Sequence, residues 1–124
     1  MARILIVDDE ASIRFATSNY LSACGHHVDV SDGVDSAVAR LATAHYELVI
    51  ADVRLSGALS YDGLEILDVI RARWPETRVV FLTAYASSLL DAKLIERGAS
   101  AVIQKPTPLA EVARLASELV GDRG

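Results

Sequence analysis

At 124 residues and 13.3 kDa, the chain has the size of one ordinary domain and can bury most of the surface its unfolded form exposes. Hydrophobic residues make up 52% and charged residues 23%, which excludes a disordered chain, and no apolar run approaches the roughly 18 residues of a membrane span. Twelve basic against 17 acidic residues leave a net charge of −5 with no Lys/Arg cluster, so nucleic acid and anionic membrane surfaces fit poorly and a cation fits better.

The lone Cys24 has no internal disulfide partner and, at the end of a helical pattern, reads as a small buried hydrophobe. With no basic segment preceding an apolar stretch at the N-terminus, the expectation is an unprocessed cytoplasmic protein.

Short β-branched runs alternate with stretches of helical period, the pattern of βα units. Arg3-Ile4-Leu5-Ile6-Val7 predicts a first strand, followed at once by Asp8-Asp9-Glu10. A helix then carries Ile13, Ala16, Tyr20, Leu21 and Cys24 on one face and stops at Gly25. His27 to Ser31 alternates as a strand with Val28 and Val30 inward, and a second helix shows Val34, Ala37, Val38, Leu41 and Ala42 at spacings of three and four. Leu48-Val49-Ile50-Ala51 is a continuous apolar run that ends on Asp52, as suits a strand covered on both faces.

An irregular loop from Val53 to Tyr61 leads to Asp62-Gly63, which opens a helix with Leu64, Ile66, Leu67, Ile70 and Trp74, closed by Pro75. Arg78 to Leu82 is a fourth strand closing on Thr83-Ala84. Ser87 to Arg97 predicts a helix with Leu90 and Leu94 inward and Gly98 as its stop. Ala101 to Gln104 is a fifth strand followed by Lys105-Pro106, and Pro108 enters a last helix bearing Leu109, Val112, Ala113, Ala116, Leu119 and Val120. Residues 1–120 read as one domain and 121–124 as a frayed tail or the start of a linker.

Five such units with right-handed crossovers predict one α/β domain with a doubly wound five-stranded parallel sheet flanked by five helices, for which 2-1-3-4-5 is a common strand order. That order sets the first strand beside the third, so Asp8, Asp9 and Asp52 crowd at the carboxyl ends where such sheets bind ligands. Crowded carboxylates repel, and either a retained proton or a cation must relieve them. All-oxygen donors without a Cys/His cluster suit Mg²⁺ better than zinc. Asp8 and Asp9 could also simply cap the following helix. A carboxylate such as Asp52 can attack phosphorus, and the transferring group then needs a metal, a hydroxyl and an ammonium on its oxygens, which Mg²⁺, Thr83 and Lys105 would supply.

Val7-Asp8-Asp9-Glu10, Asp52, Asp62-Gly63, Thr83-Ala84 and Lys105-Pro106, in this order and spacing, resemble the receiver domain of two-component response regulators, close in size to the stand-alone chemotaxis type. The resemblance spans essentially the whole chain and implies a flavodoxin-like fold and a phosphorelay signalling module rather than an enzyme in the usual sense. By position, Asp52 resembles the phospho-acceptor and Asp9 a direct Mg²⁺ ligand, while Asp8 would act through a water and the backbone carbonyl of Arg54 would complete the protein's share of the shell. Thr83 resembles the switch hydroxyl and Lys105 the phosphoryl-binding lysine, followed by a proline whose preceding bond is usually cis in this family.

The implied partners are a sensor histidine kinase or histidine phosphotransfer protein upstream, and a downstream protein target or a missing C-terminal effector domain, with no direct contact to nucleic acid or membrane. The chain departs from the pattern in a longer loop after Asp52 with Ser56 where a proline often sits, and in Val102 where an aromatic residue commonly reports switching. Arg54 and Tyr85 stand at positions that tune access of the hydrolytic water, and their bulk implies slow self-dephosphorylation. The competing readings are a degenerate receiver acting only through protein contacts, a nucleotide- or flavin-binding module on the same fold, and a phosphohydrolase using Asp52. Asp-Asp-Glu after the first strand repels the phosphate of the nucleotide or flavin, and Arg54 stands where the phosphohydrolase would have a second acid.

Overall fold

Runs of Val, Ile and Leu form the strands, and the amphipathic stretches between them form the helices, in strict alternation. The elements are β1 Arg3–Val7, α1 Ala11–Ala23, β2 His27–Ser31, α2 Val34–Thr43, β3 Leu48–Ala51, α3 Asp62–Arg73, β4 Arg78–Thr83, α4 Ser88–Glu96, β5 Ala101–Gln104 and α5 Leu109–Leu119. The structure, a computed structural model, describes residues 2–52, 62–84, 88–105 and 107–120. The strands join in one parallel sheet of order β2-β1-β3-β4-β5, the doubly wound arrangement expected. Val7 pairs with Ala51, so β1 and β3 end level with one another, and Ala51 pairs with Phe81, so β4 runs two residues further, to Thr83.

Alternation along each strand divides the interior into two cores, one on each face of the sheet. Leu5, Val7, Val49, Ala51, Val79 and Phe81 pack beneath α2, α3 and α4 with Leu41, Ile66, Leu67, Ile70, Leu90 and Leu94. Ile4, Ile6, Leu48, Ile50, Val80 and Leu82 pack beneath α1 and α5 with Leu21, Val112, Ala113 and Ala116. Of the inward residues expected, Ile66, Leu67 and Ile70 of α3, Leu90 and Leu94 of α4, and Val112, Ala113 and Ala116 of α5 are buried; Leu64, Trp74, Leu119 and Val120 pack against the cores only in part, and Leu115 does so where Leu109 was expected to.

The expected face of α1 needs correction. Leu21 is buried, but the other buried residue is Thr17, whereas Ala16, Tyr20 and Cys24 are exposed. A single i, i+4 stripe through Ile13, Thr17 and Leu21 is enough for a helix at one margin of the sheet, and residues beside that stripe turn outward. Cys24 is therefore no buried hydrophobe. It is the C-cap of α1, its N–H donating to the Tyr20 and Leu21 carbonyls. Gly25 follows at φ +99° and Gly98 ends α4 at φ +109°, the left-handed geometry for which glycine was read as a stop at both places.

β2 carries Asp29 on the face covered by α2, where a carboxylate needs partners. The buried Tyr46 donates its hydroxyl to Asp29 Oδ2 at 2.5 Å, with the Arg3 guanidinium 3.6 Å from the same oxygen and His27 Nε2 3.6 Å from Oδ1. Burial, then the Asp29 carboxylate, raises the Tyr46 phenol and outweighs the opposing pull of Arg40, so the hydroxyl stays a donor. Tyr46→Phe should lower stability by about 1–2 kcal/mol, read as a reduced midpoint at unchanged slope in urea unfolding.

Candidate functional site

Three backbone hydrogen bonds carry the ladder one step beyond the strands and fix the residues that follow them. Asp8 N–H donates to Ser31 O at 3.1 Å, Asp52 N–H to Val7 O at 3.0 Å and Lys105 N–H to Thr83 O at 2.8 Å. Continuing the alternation of their strands, Asp8, Asp52 and Lys105 fall on the face shared by α1 and α5.

β5 lies two strands from β3, a separation of about 10 Å at ordinary sheet spacing, and the extended Lys105 side chain crosses the end of β4 to close it. Its ammonium donates to Asp52 Oδ2 at 3.0 Å and to Asp8 Oδ2 at 3.0 Å. The three side chains are largely withdrawn from solvent, at 4% exposure for Asp8, 13% for Asp52 and 18% for Lys105. Burial alone would lower the Lys105 ammonium, but its hydrogen bonds to Asp52 and Asp8 and their charges outweigh that effect and raise it. Lys105 is therefore a fixed cation at neutral pH.

The remaining polar groups of Asp8 are engaged as well. Its Oδ1 accepts the Glu10 N–H at 3.0 Å and its carbonyl accepts Arg14 Nη1 at 2.7 Å. Glu10 is the N-cap of α1 and makes no side-chain cap bond, while Asp8 Oδ1 holds the N–H of that N-cap residue. Asp9 is exposed, and Asp8, Asp9 and Asp52 each bring one carboxylate oxygen within 4.8 Å of the others. For comparison, oxygens across a Mg²⁺ octahedron stand roughly 4.2 Å apart, twice the usual ~2.1 Å contact. The donor set fits a small hard dication.

Thr83 closes β4 and is buried at 1% exposure. Val102 sits on β5, opposite Phe81 of β4, half-buried against the core beneath α2, α3 and α4. Arg54, Ser56, Tyr85 and Pro106 lie outside the described residues, as does the whole longer loop after Asp52. His26, His27 and His45 stand at the opposite end of the sheet. Arg14 was not singled out from the sequence. Its signal was its place six residues after Asp8, one turn into α1, from which a long side chain can reach back to the strand end.

Among the described residues, no helix is long and apolar enough to cross a membrane. The response regulator receiver domain family matches residues 4–116. The response regulator protein FleR of Pseudomonas aeruginosa is 33% identical over 85% of this chain and 22% of its own length. The receiver domain of NtrX from Brucella abortus superposes with a TM-score of 0.86 at 33% identity, covering 94% of this chain and 97% of that one. A CheY-like receiver domain protein from Methanospirillum hungatei superposes with a TM-score of 0.90 at 25% identity over 99% and 96% of the two chains. The chain spans about a fifth of the length of FleR. With the sheet order, the acidic strand ends and a family match over most of the chain in agreement, the chain belongs to the response regulator receiver domain family.

Proposed function

We propose that the chain is a phospho-accepting receiver in which Asp52 takes a phosphoryl group in a Mg²⁺-dependent reaction and thereby switches the binding of a partner. The observation that carries this reading is the position of one ammonium, Lys105 Nζ, 3.0 Å from both Asp8 and Asp52, with the Asp9 carboxylate beside them.

The donor is the phosphohistidine of a histidine kinase or phosphotransfer protein. Asp52 Oδ attacks phosphorus, an O–P bond forms, the N–P bond breaks and its electron pair returns to the imidazole, which takes a proton from water and departs. Both Asp8 oxygens already accept hydrogen bonds, from Lys105 and from Glu10 N–H, whereas Asp9 is exposed. That supports Asp9 and Asp52 as direct metal ligands and Asp8 as a ligand through water, with the Arg54 carbonyl completing the set. Mg²⁺, when bound, offsets charge on one phosphoryl oxygen as a Lewis acid.

Lys105 holds a second phosphoryl oxygen and the Thr83 hydroxyl a third. Movement of Thr83 toward the new charge biases α4 and its neighbours between two arrangements. Arg54, Tyr85 and Val102 tune the lifetime and readout of that state. The site works in the cytoplasm, and its output passes to a protein target or to an effector segment of a longer chain.

Calorimetric titration with Mg²⁺ at neutral pH, followed by acetyl phosphate, tests the reading. Saturable binding and an acid-stable, base-labile phosphoryl adduct that needs the metal are expected. Absence of both would favour a degenerate receiver that acts through protein contacts alone.

A further inference from the structure

The Asp9 carboxylate is the exposed acid of the cluster, and among the described residues no hydrogen bond or ion pair holds it. The direction in which its side chain leaves the main chain, and with it the space the carboxylate can reach, is therefore set by the backbone on either side. On the far side Glu10 opens α1, whose first bond is Arg14 N–H to Glu10 O at 3.1 Å. On the near side is the Asp8–Asp9 peptide, and its carbonyl oxygen accepts Arg14 Nη1 at 2.7 Å in a half-buried setting. Arg14 thus touches both ends of the Asp8-Asp9-Glu10 turn, once through its main chain and once through its guanidinium.

Because a peptide unit is planar, fixing its carbonyl fixes the ψ of Asp8 and restricts the φ of Asp9, hence where Asp9 projects. A charge-assisted bond to a carbonyl is among the stronger neutral-acceptor contacts available.

We infer that Arg14 is a positioning residue of the metal site: by clamping the Asp8–Asp9 peptide it aims the Asp9 carboxylate at the cation shared with Asp52. This rests on the Mg²⁺ reading above. The inference has a sign that a purely electrostatic role lacks. Arg14 places a positive charge beside three acids, so Coulomb's law alone says that removing it should tighten Mg²⁺ binding. If its work is to orient Asp9, removal should weaken binding despite the lost repulsion, by about tenfold, as for other groups that hold a ligand in place.

The experiment compares wild type, R14A, R14Q and R14K by Mg²⁺ calorimetry, with amide hydrogen exchange and resonance positions measured on the metal-free proteins. Expected are about tenfold weaker binding in R14A and R14Q, recovery to within about threefold in R14K, whose long side chain keeps a charged donor near the carbonyl where the shorter Gln amide does not reach, faster exchange of the Glu10 amide and a shifted Asp9 amide. Equal or tighter binding in R14A and R14Q overturns the inference. Should R14A fail to fold, R14Q against R14K carries the same contrast. Should the wild type bind no Mg²⁺, the functional reading fails. The clamp is then judged on the metal-free amides alone, where unchanged Asp9 and Glu10 signals in R14Q overturn it and altered ones uphold it.

Discussion

Asp52→Asn should reduce phosphoryl labelling by acetyl phosphate or by a phosphohistidine donor to background, with the fold intact. The amide is nearly isosteric with the carboxylate and keeps an oxygen that can face Lys105, so the backbone bond from Asp52 N–H to Val7 O and the apolar strand before it need not move. What is lost is the anionic oxygen proposed to attack phosphorus, and an amide oxygen is a far weaker nucleophile. Intact-mass measurement after treatment with acetyl phosphate and Mg²⁺ should show one added phosphoryl group on the wild type and none on the variant. Labelling of D52N at the wild-type rate would move the acceptor elsewhere and overturn the assignment.

The second large effect concerns Lys105, and it separates two properties that the site combines. In K105M the carboxylates of Asp8 and Asp52 lose the ammonium they share, leaving two nearly buried acids facing each other. Without metal the variant should lose about 1–3 kcal/mol of stability. It should also bind Mg²⁺ about tenfold more tightly, because the cation no longer shares its acids with a fixed positive charge. Phosphoryl transfer should nonetheless fall by about 10²–10³, the usual cost of removing one positioned donor from a developing oxyanion.

The stability difference carries a pH signature. The Lys105 ammonium is raised from its ordinary value of 10.5, so its contribution is fully present below that value and is lost as pH rises through the raised one. Urea unfolding of metal-free wild type and K105M should differ by a constant amount through neutral pH and converge in strong alkali. Equal or weaker Mg²⁺ affinity in K105M would show that the lysine does not compete with metal at these oxygens.

Much of this architecture was legible in the residues because parallel strands buried on both faces must be apolar throughout. Leu48 to Ala51 and Arg78 to Leu82 therefore announced themselves, and the first polar residue after each marked the carboxyl end. Asp52 and Thr83 were found that way, whereas Lys105 stands one residue past Gln104, the first polar residue of the fifth strand. The sheet order, taken as a prior from a common pattern, then set Asp8 beside Asp52.

The outer turns of α1 were less legible. Helical period gives a stripe but not its width, and a helix lying over the margin of the sheet covers less than one at its centre. Tyr20 and Cys24 consequently face solvent while the polar Thr17 is buried. Arg14 escaped notice because its contact is to a main-chain oxygen, which leaves no trace in the pattern of side chains. The Tyr46–Asp29 bond joins β2 to a residue two positions before β3, and pairings between distant segments are not written in either segment alone.

The lysine that quiets the acidic notch lies 97 residues downstream of Asp8 and 53 downstream of Asp52. On the ribosome, the acids emerge long before their counter-charge does. A nascent chain ending anywhere short of β5 can collapse its first strands but must hold two like charges together without their lysine, so completion of the acidic end waits for the fifth strand. Docking of β5 should accordingly come late in folding, and a half-made chain then carries the acids without the lysine that completes the arrangement.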